Sequence, residues 1–437
     1  MTFTLSTHSQ AIYAKLDINL QKIPLEKRHH YRAIKYFLTV EDEPLPEASS
    51  LEQVSRYLQS LYHLCQLQAG EYIKFILSIP IFINPSRISL SLPLYEYLLF
   101  KGLSRTLLEE SQQIINSLTD TDRDITYIIM LKARALSDIS GATQDACLLF
   151  KEICSKTQEG SDIHTEATAR LGIRQVSSGI YQEGILNLKK SLTVIDYLLE
   201  DHPEFGDNKL RFYEIKSDIL ESFAFYKMNS SNFTQAIDLY VKIIEIRDKY
   251  GWLHKLIGPL VHQGILMRRM GNYNQAMIYL NEAKARAVEI SNENNPTWID
   301  HHLAYVHLNQ GKISEAEKLC KSSLEGYKRI ESLGGISDCY EQLGLINLAK
   351  REIKDAEKYF EMSLNIRKSI GNLHGSASSV LDLALVYWHN KRYLKSIRLL
   401  LLGFSLYYKI GVLNHVRFAR MLKLAYVWTL GDRKWTM

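Results

Sequence analysis

The stretch His262-Gln-Gly-Ile-Leu-Met-Arg-Arg-Met-Gly-Asn-Tyr-Asn-Gln-Ala276 places two small residues, Gly264 and Ala276, twelve positions apart around Gly271. The same arrangement returns every forty residues. Ala224, Gly264, Ala304, Gly344 and Ala384 form one column, and Ala236, Ala276, Ala316, Ala356 and Ser396 form a second. Between them lie Ser231, Gly271, Gly311, Arg351 and Lys391, followed two residues on by Phe233, Tyr273, Ile313, Ile353 and Tyr393. Tyr240, Leu280, Cys320, Phe360 and Leu400 make a column of larger residues. Each unit reads as helix A, a tight turn and helix B. Small residues are needed where the two helices cross, because a larger side chain would hold the backbones apart. Gly251, Gly371 and Gly411 share a register at the end of helix B, where a left-handed cap favours glycine.

This pattern resembles the tetratricopeptide repeat in its longer form. The likeness implies an all-α fold: a right-handed superhelix of tetratricopeptide-type hairpins behind a small N-terminal helical head. It covers 209–437 in regular register. It extends with drift to Gly172, Gly179, Tyr181 and Gly184, before an insertion around Leu199–Gly206 breaks the spacing. Segments 93–118 and 122–155 read as further hairpins. At the far end Leu424 and Gly431 keep the register, and an unpaired helix carries Trp428 and Trp435. Those tryptophans either cap the array themselves or form a dimer contact. The head reads as amphipathic stretches at 7–21 and 25–39 and a proline-bearing linker, Glu41–Pro46. A helix at 50–68 follows, opened by Ser49 and Ser50 with Glu52 nearby. Pro80–Pro93 reads as irregular. The expected division is therefore 1–48 head, 49–208 degenerate repeats and 209–437 regular repeats.

Composition narrows the function classes. With 437 residues, 46% hydrophobic and 23% charged, the chain has the balance of a folded protein. A net charge of +5 and a pI near 8.7 permit an acidic partner without requiring one. Five cysteines without a C-x-x-C pair fit a reducing cytoplasm rather than a disulfide or zinc framework, with Cys320 and Cys339 as buried thiols. The N-terminus has no signal-peptide pattern. The longest apolar run, Leu399–Leu406, is far short of the roughly 20 residues a membrane helix needs, so a cytoplasmic protein off the membrane is expected. Nucleophile-elbow, zinc-protease, phosphate-loop and dinucleotide signatures are all missing, so neither catalysis nor a cofactor is expected. His29-His30 and His301-His302 are adjacent pairs, roughly 100° apart on a helix and poorly placed to share a metal.

Binding is the remaining class. Stacked helices A line the concave face of a repeat superhelix. Two positions before the small column stand Ser222, His262, His302, Gln342 and Asp382; five after it stand Asn229, Arg269, Asn309, Ala349 and His389. Arg268 flanks them. Asn229, His262, Arg268, Arg269, His302, Asn309, Gln342, Asp382 and His389 are thus the candidate peptide-binding residues, able to hydrogen-bond an extended backbone. A peptide with an acidic group would suit the arginines. The alternative is that these positions are merely the solvated side of helix A. In the head, Lys15, Lys22, Lys27, Arg28, Arg32 and Lys35 outnumber Asp17 and Glu26. Lys22, Lys27, Arg28 and Arg32 are candidate nucleic-acid contacts, with a solvated basic helix face as the alternative. No clean helix-turn-helix signature accompanies them.

Ala33-Ile-Lys-Tyr-Phe-Leu38, Ser49-Ser-Leu-Glu-Gln-Val54, Tyr127 through Ser140 and Lys156-Thr-Gln-Glu159 carry a second resemblance. The layout is similar to bacterial receptors for signalling peptides of the Rap, NprR, PlcR and PrgX type, and most like the phage arbitrium receptor. That likeness implies a quorum-sensing homodimer whose groove takes a short signalling peptide and thereby alters DNA binding or a protein target. A constitutive protein-interaction scaffold is the other expectation.

Overall fold

The computed structural model describes residues 23–39, 48–83, 91–118, 124–139, 141–201, 208–290 and 295–411, with Tyr13, Ala14, Leu16 and Gln21. Lys15, Asp17, Lys22, the Glu41–Pro46 linker, Leu424, Trp428, Gly431 and Trp435 lie outside them. The chain falls into two compact units, Met1–Ile139 and Ser140–Met437.

The first unit contains α1 (Arg28–Thr39), α2 (Ser50–Leu67), α3 (Gly70–Leu77), α4 (Leu94–Phe100), α5 (Ser104–Ser117) and α6 (Ile125–Asp138). α2 opens on a reciprocal cap: Glu52 N–H donates to Ser49 Oγ and Ser49 N–H donates to Glu52 Oε2. The Pro80–Pro93 stretch is more ordered than its sequence suggests. Strands β1 (Pro80–Phe82) and β2 (Ser91–Pro93) pair antiparallel, Pro80 opposite Pro93 and Ile81 opposite Leu92. The prolines sit at the outer pair, where a lost backbone donor matters least, and buried Ile81 and Leu92 hold the ribbon down. Three residues per strand are too few to show an alternating pattern.

The second unit is a run of helices packed as successive hairpins: α7 (Thr143–Lys156), α8 (Asp162–Ser177), α9 (Tyr181–Asp201), α10 (Asn208–Asn229), α11 (Phe233–Lys249), α12 (Leu253–Arg269), α13 (Tyr273–Glu289), α14 (Asn295–Asn309), α15 (Ile313–Arg329), α16 (Leu333–Lys350), α17 (Ile353–Ser369), α18 (Leu373–His389) and α19 (Tyr393–Lys409). From α10 onward the even-numbered helices are the helices A of the forty-residue units. The small columns lie in the helix crossings. Ala224, Ala304 and Ala384 are fully buried, and a Cβ on Gly344 would stand 2.6 Å from the Phe360 ring. Every turn between A and B puts one residue in the left-handed region: Ser231, Gly271, Gly311, Arg351 and Lys391. The repeat registers expected from the sequence hold throughout α10–α19.

The array also meets itself. One core cluster joins Ala169, Val176, Tyr181 and Ile195 of α8 and α9 to Ala377, Tyr407 and Ile410 at its other end. His374 packs edge-on to Tyr181 at 6.4 Å and to Tyr407 at 5.5 Å. The hairpin α8–α9 therefore touches α18–α19.

Candidate functional site

On each helix A, positions six and two before the small residue and one and five after it are spaced four, three and four apart, which puts them on one face. Those faces adjoin. On α10 the face holds Asp218, Ser222, Phe225 and Asn229; on α14 it holds Trp298, His302, Tyr305 and Asn309. Phe225, His262, Trp298 and His302 pack as a chain of rings, each within 6 Å of the next. The Arg268 guanidinium lies 4.8 Å from the Tyr305 ring, and its Nη1 donates to Asn309 Oδ1 at 3.2 Å.

One column on this face has an unusual property. His262 Nδ1, His302 Nδ1, Gln342 Oε1 and Asp382 Oδ2 are all shut off from solvent, and none has a hydrogen-bond partner in the protein. They are four consecutive members of the column two before the small residue. His262 Nδ1 stands 3.6 Å from Glu221 Oε1, beyond hydrogen-bond length. A sealed polar atom left unpaired costs about 1–3 kcal/mol, so a line of four is expensive unless something else satisfies it.

Two ionic clusters flank the ring chain. On α10 and α11, Arg247 Nη2 bridges Asp218 at 3.0 Å and Glu221 at 2.7 Å, and Lys255 adds a contact to Asp218 at 3.1 Å. Burial would raise the Glu221 carboxyl, but Arg247 and His262 pull it down to about 2. On α16 and α17, Arg367 Nη2 bridges Asp338 at 2.6 Å and Glu341 at 2.8 Å. Glu341 also accepts from Ser378 Oγ at 2.8 Å and from the Tyr305 hydroxyl at 3.5 Å. Burial opposes the ionised form of Glu341, yet Arg367 holds it at about 2. Asp382 behaves oppositely: burial and the charge of Glu341 push its carboxyl well above its ordinary value, which favours the protonated form. Burial and the charges of His301 and Arg268 hold His302 well below the usual imidazole range, so it is neutral.

The nine candidate residues are not equally open. His262, Arg268, His302 and Asn309 gather around the ring chain. Arg269 donates to the Met228 carbonyl at 3.3 Å. Asn229 is buried and donates to the Tyr181 hydroxyl, and Gln342 is buried and donates to the His301 carbonyl. His389 is exposed at the end of α18. In the head, Arg32 is exposed, Lys27 is half-buried and Arg28 Nε donates to the Ile23 carbonyl. Sequence reasoning missed Trp298, Tyr305, Arg247 and Arg367. The arginines carried a signal: they stand 120 residues apart, three whole units, on helix B. Cys320 and Cys339 are fully buried, and all five cysteines are free thiols. Among the described residues no group of three or more His, Cys, Asp or Glu is placed to hold a metal ion, and no helix is long and apolar enough to cross a membrane.

Residues 297–369 match the tetratricopeptide repeat profile. No curated protein matches the chain in sequence. A signal transduction ATPase with numerous domains, bearing a tetratricopeptide repeat sensor, from Pyrococcus horikoshii is similar in structure, with 16% identity and a TM-score of 0.50. That likeness covers 88% of this chain but 53% of the archaeal protein, so the chain spans about half its length. NprR in complex with its cognate peptide NprX is similar at 16% identity and a TM-score of 0.50, over 71% of this chain and 86% of NprR. A Rap protein complexed with competence and sporulation factor is similar at 15% identity and a TM-score of 0.49, over 70% of this chain and 83% of that one. At such identities the likeness speaks for the fold alone, which is all-α and built of tetratricopeptide-type hairpins stacked in a superhelix.

Proposed function

We propose that the second unit binds a short linear peptide along the inward face of its helices A, and that this binding regulates transcription or a partner protein. The observation that carries the reading is the line of sealed, unpartnered atoms on His262, His302, Gln342 and Asp382. An extended peptide carries backbone N–H and C=O groups along its whole length and suits such a line. Arg268, stacked on Tyr305 and held by Asn309, offers donors to a peptide carbonyl or carboxylate. NprR, which shares the fold, was solved with a peptide bound. The test is fluorescence polarisation with labelled random hexapeptide pools on the full chain. The expected result is binding that weakens about tenfold in an Arg268→Ala, Asn309→Ala double variant. Absence of binding, or equal binding by the variant, overturns the reading.

The output is read through the head or through a second homodimer copy. Arg32 and Lys35 are exposed on α1 and suit phosphates. A salt-sensitive DNA shift that disappears on deleting 1–45 supports the transcriptional branch.

A constitutive scaffold has its own favouring observation. Leu394, Leu401 and Tyr408, seven residues apart on α19, are 79%, 64% and 76% exposed. The matching positions of α17 are Lys354, Glu361 and Lys368. Protein partners captured through α19, and unaffected by any peptide pool, favour this branch.

A further inference from the structure

Arg247 and Arg367 make matching contacts to two acids and one backbone carbonyl, three units apart. Arg247 Nη2 meets Asp218 and Glu221, and its Nη1 donates to the Lys255 carbonyl at 2.6 Å. Arg367 Nη2 meets Asp338 and Glu341, and its Nη1 donates to the Gly375 carbonyl at 3.0 Å. Each member of the second set stands 120 residues after its counterpart. The clusters differ in what completes their charge.

In the first, Lys255 Nζ lies 3.1 Å from Asp218 and the His262 imidazole faces Glu221. The corresponding positions of the second are Gly375 and Asp382. A glycine replaces the amine, and a further carboxyl replaces the imidazole. Three acids, Asp338, Glu341 and Asp382, thus share one cation, Arg367. Its Nη1 and Nη2 already serve the Gly375 carbonyl, Ser379 Oγ, Asp338 and Glu341, while its Nε has no partner. Burial and the charge of Glu341 favour the protonated form of Asp382, which relieves the surplus negative charge. Two acceptors here also lack donors: Asp382 Oδ2 and, one unit earlier in the same column, Oε1 of the 0% exposed Gln342.

We infer that the Glu341–Asp382 pair is a subsite for a cationic group of the bound peptide, either a Lys or Arg side chain or the N-terminal ammonium. The inference rests on the peptide-binding reading above and names the chemical class of its ligand. The incoming cation supplies the charge that Lys255 supplies in the first cluster, and its N–H groups reach acceptors that no protein donor serves. Asp382 releases its proton to solvent as the cation arrives. The charge expected of the peptide from sequence alone was acidic, to suit Arg268 and Arg269. This subsite adds a basic group close by, since Tyr305 carries Arg268 on its ring and donates its hydroxyl to Glu341.

The experiment is polarisation on the full chain with C-terminally labelled hexapeptide pools. One position is fixed in turn as Lys, norleucine or Glu, with the N-terminus acetylated, and a second norleucine set has a free amine. Norleucine keeps the length of lysine without its charge. At one position the Lys pool, or else the free-amine set, is expected to bind about tenfold tighter than acetylated norleucine. Asp382→Asn, which keeps the side-chain shape, is expected to shrink that preference below about threefold. The Lys arm points to a basic side chain and the free-amine arm to the N-terminus. Pools that bind without charge preference, or a preference that Asp382→Asn retains, overturn the inference and leave the peptide reading standing. No binding by any pool overturns both.

Discussion

Arg367, in the last turn of α17, holds Glu341 of α16 with Nη2 2.8 Å from Oε2, and the guanidinium is almost wholly buried. Removing one partner of such a pair is worse than never having had it, because a charge stays behind without compensation. Arg367→Met should cost about 3–5 kcal/mol in urea denaturation at pH 7. Glu341 titrates at about 2 in the folded chain against an ordinary 4.5, as Arg367 overcomes the effect of burial. Its contribution is therefore complete above pH 4.5 and fades as pH falls toward 2. The Met variant should lose that acid limb, and unchanged stability at pH 7 would refute the pairing.

Asp382 gives the opposite sign. Burial and Glu341 raise its folded value above the ordinary 3.8, so the folded state binds the extra proton. Stability is then drained as pH rises above 3.8. Asp382→Asn should be more stable than the parent at pH 7, and the gap should close by pH 3.5. Thermal melts across that range check it; a variant that is less stable at neutral pH would sink the assignment.

The forty-residue registers were legible because close helix crossings tolerate few residue types. Gly264 and Gly344 had to be small, and the count from them put His262, His302, Gln342 and Asp382 on one line. What the count could not show was pairing across helices. Whether Asn229 meets a ligand or the Tyr181 hydroxyl depends on superhelical curvature, which no local pattern encodes. The same holds for Arg268 on Tyr305, and for His374, whose partner Tyr181 lies almost 200 residues away. The Pro80–Pro93 ribbon was hidden for a different reason: its strands, three residues each, are too short for their alternation to stand out.

Gly344 and Gly334 share helix α16 and should respond oppositely to alanine. A Cβ at 344 meets Phe360 Cε1 at 2.6 Å, and that ring is fully buried. Gly344→Ala should cost about 1–3 kcal/mol. At 334, in the first turn, nothing lies within 4 Å, so alanine should add up to roughly 0.5 kcal/mol through helix propensity. Chemical denaturation of the two single variants separates a crossing glycine from an incidental one. Equal effects would mean that the crossing has room to spare.

The contact of the array with itself is the most local of these tests. His374 lies between Tyr181 and Tyr407, and a Cβ on Gly179 would stand 3.3 Å from the His374 backbone nitrogen. Edge-on ring pairs contribute about 0.5–1.5 kcal/mol each, so the two together amount to roughly 1–3 kcal/mol. That is enough to hold two hairpins together but far less than a hydrophobic core. His374→Ala should therefore leave the helices intact and weaken the contact between α8–α9 and α18–α19. Amide exchange should quicken at Ile180–Gln182 and Leu373–Ser376 with little change in circular dichroism. Unchanged exchange at both segments would show that the buried cluster of Ala169, Val176, Ala377 and Ile410 keeps the ends together without the imidazole.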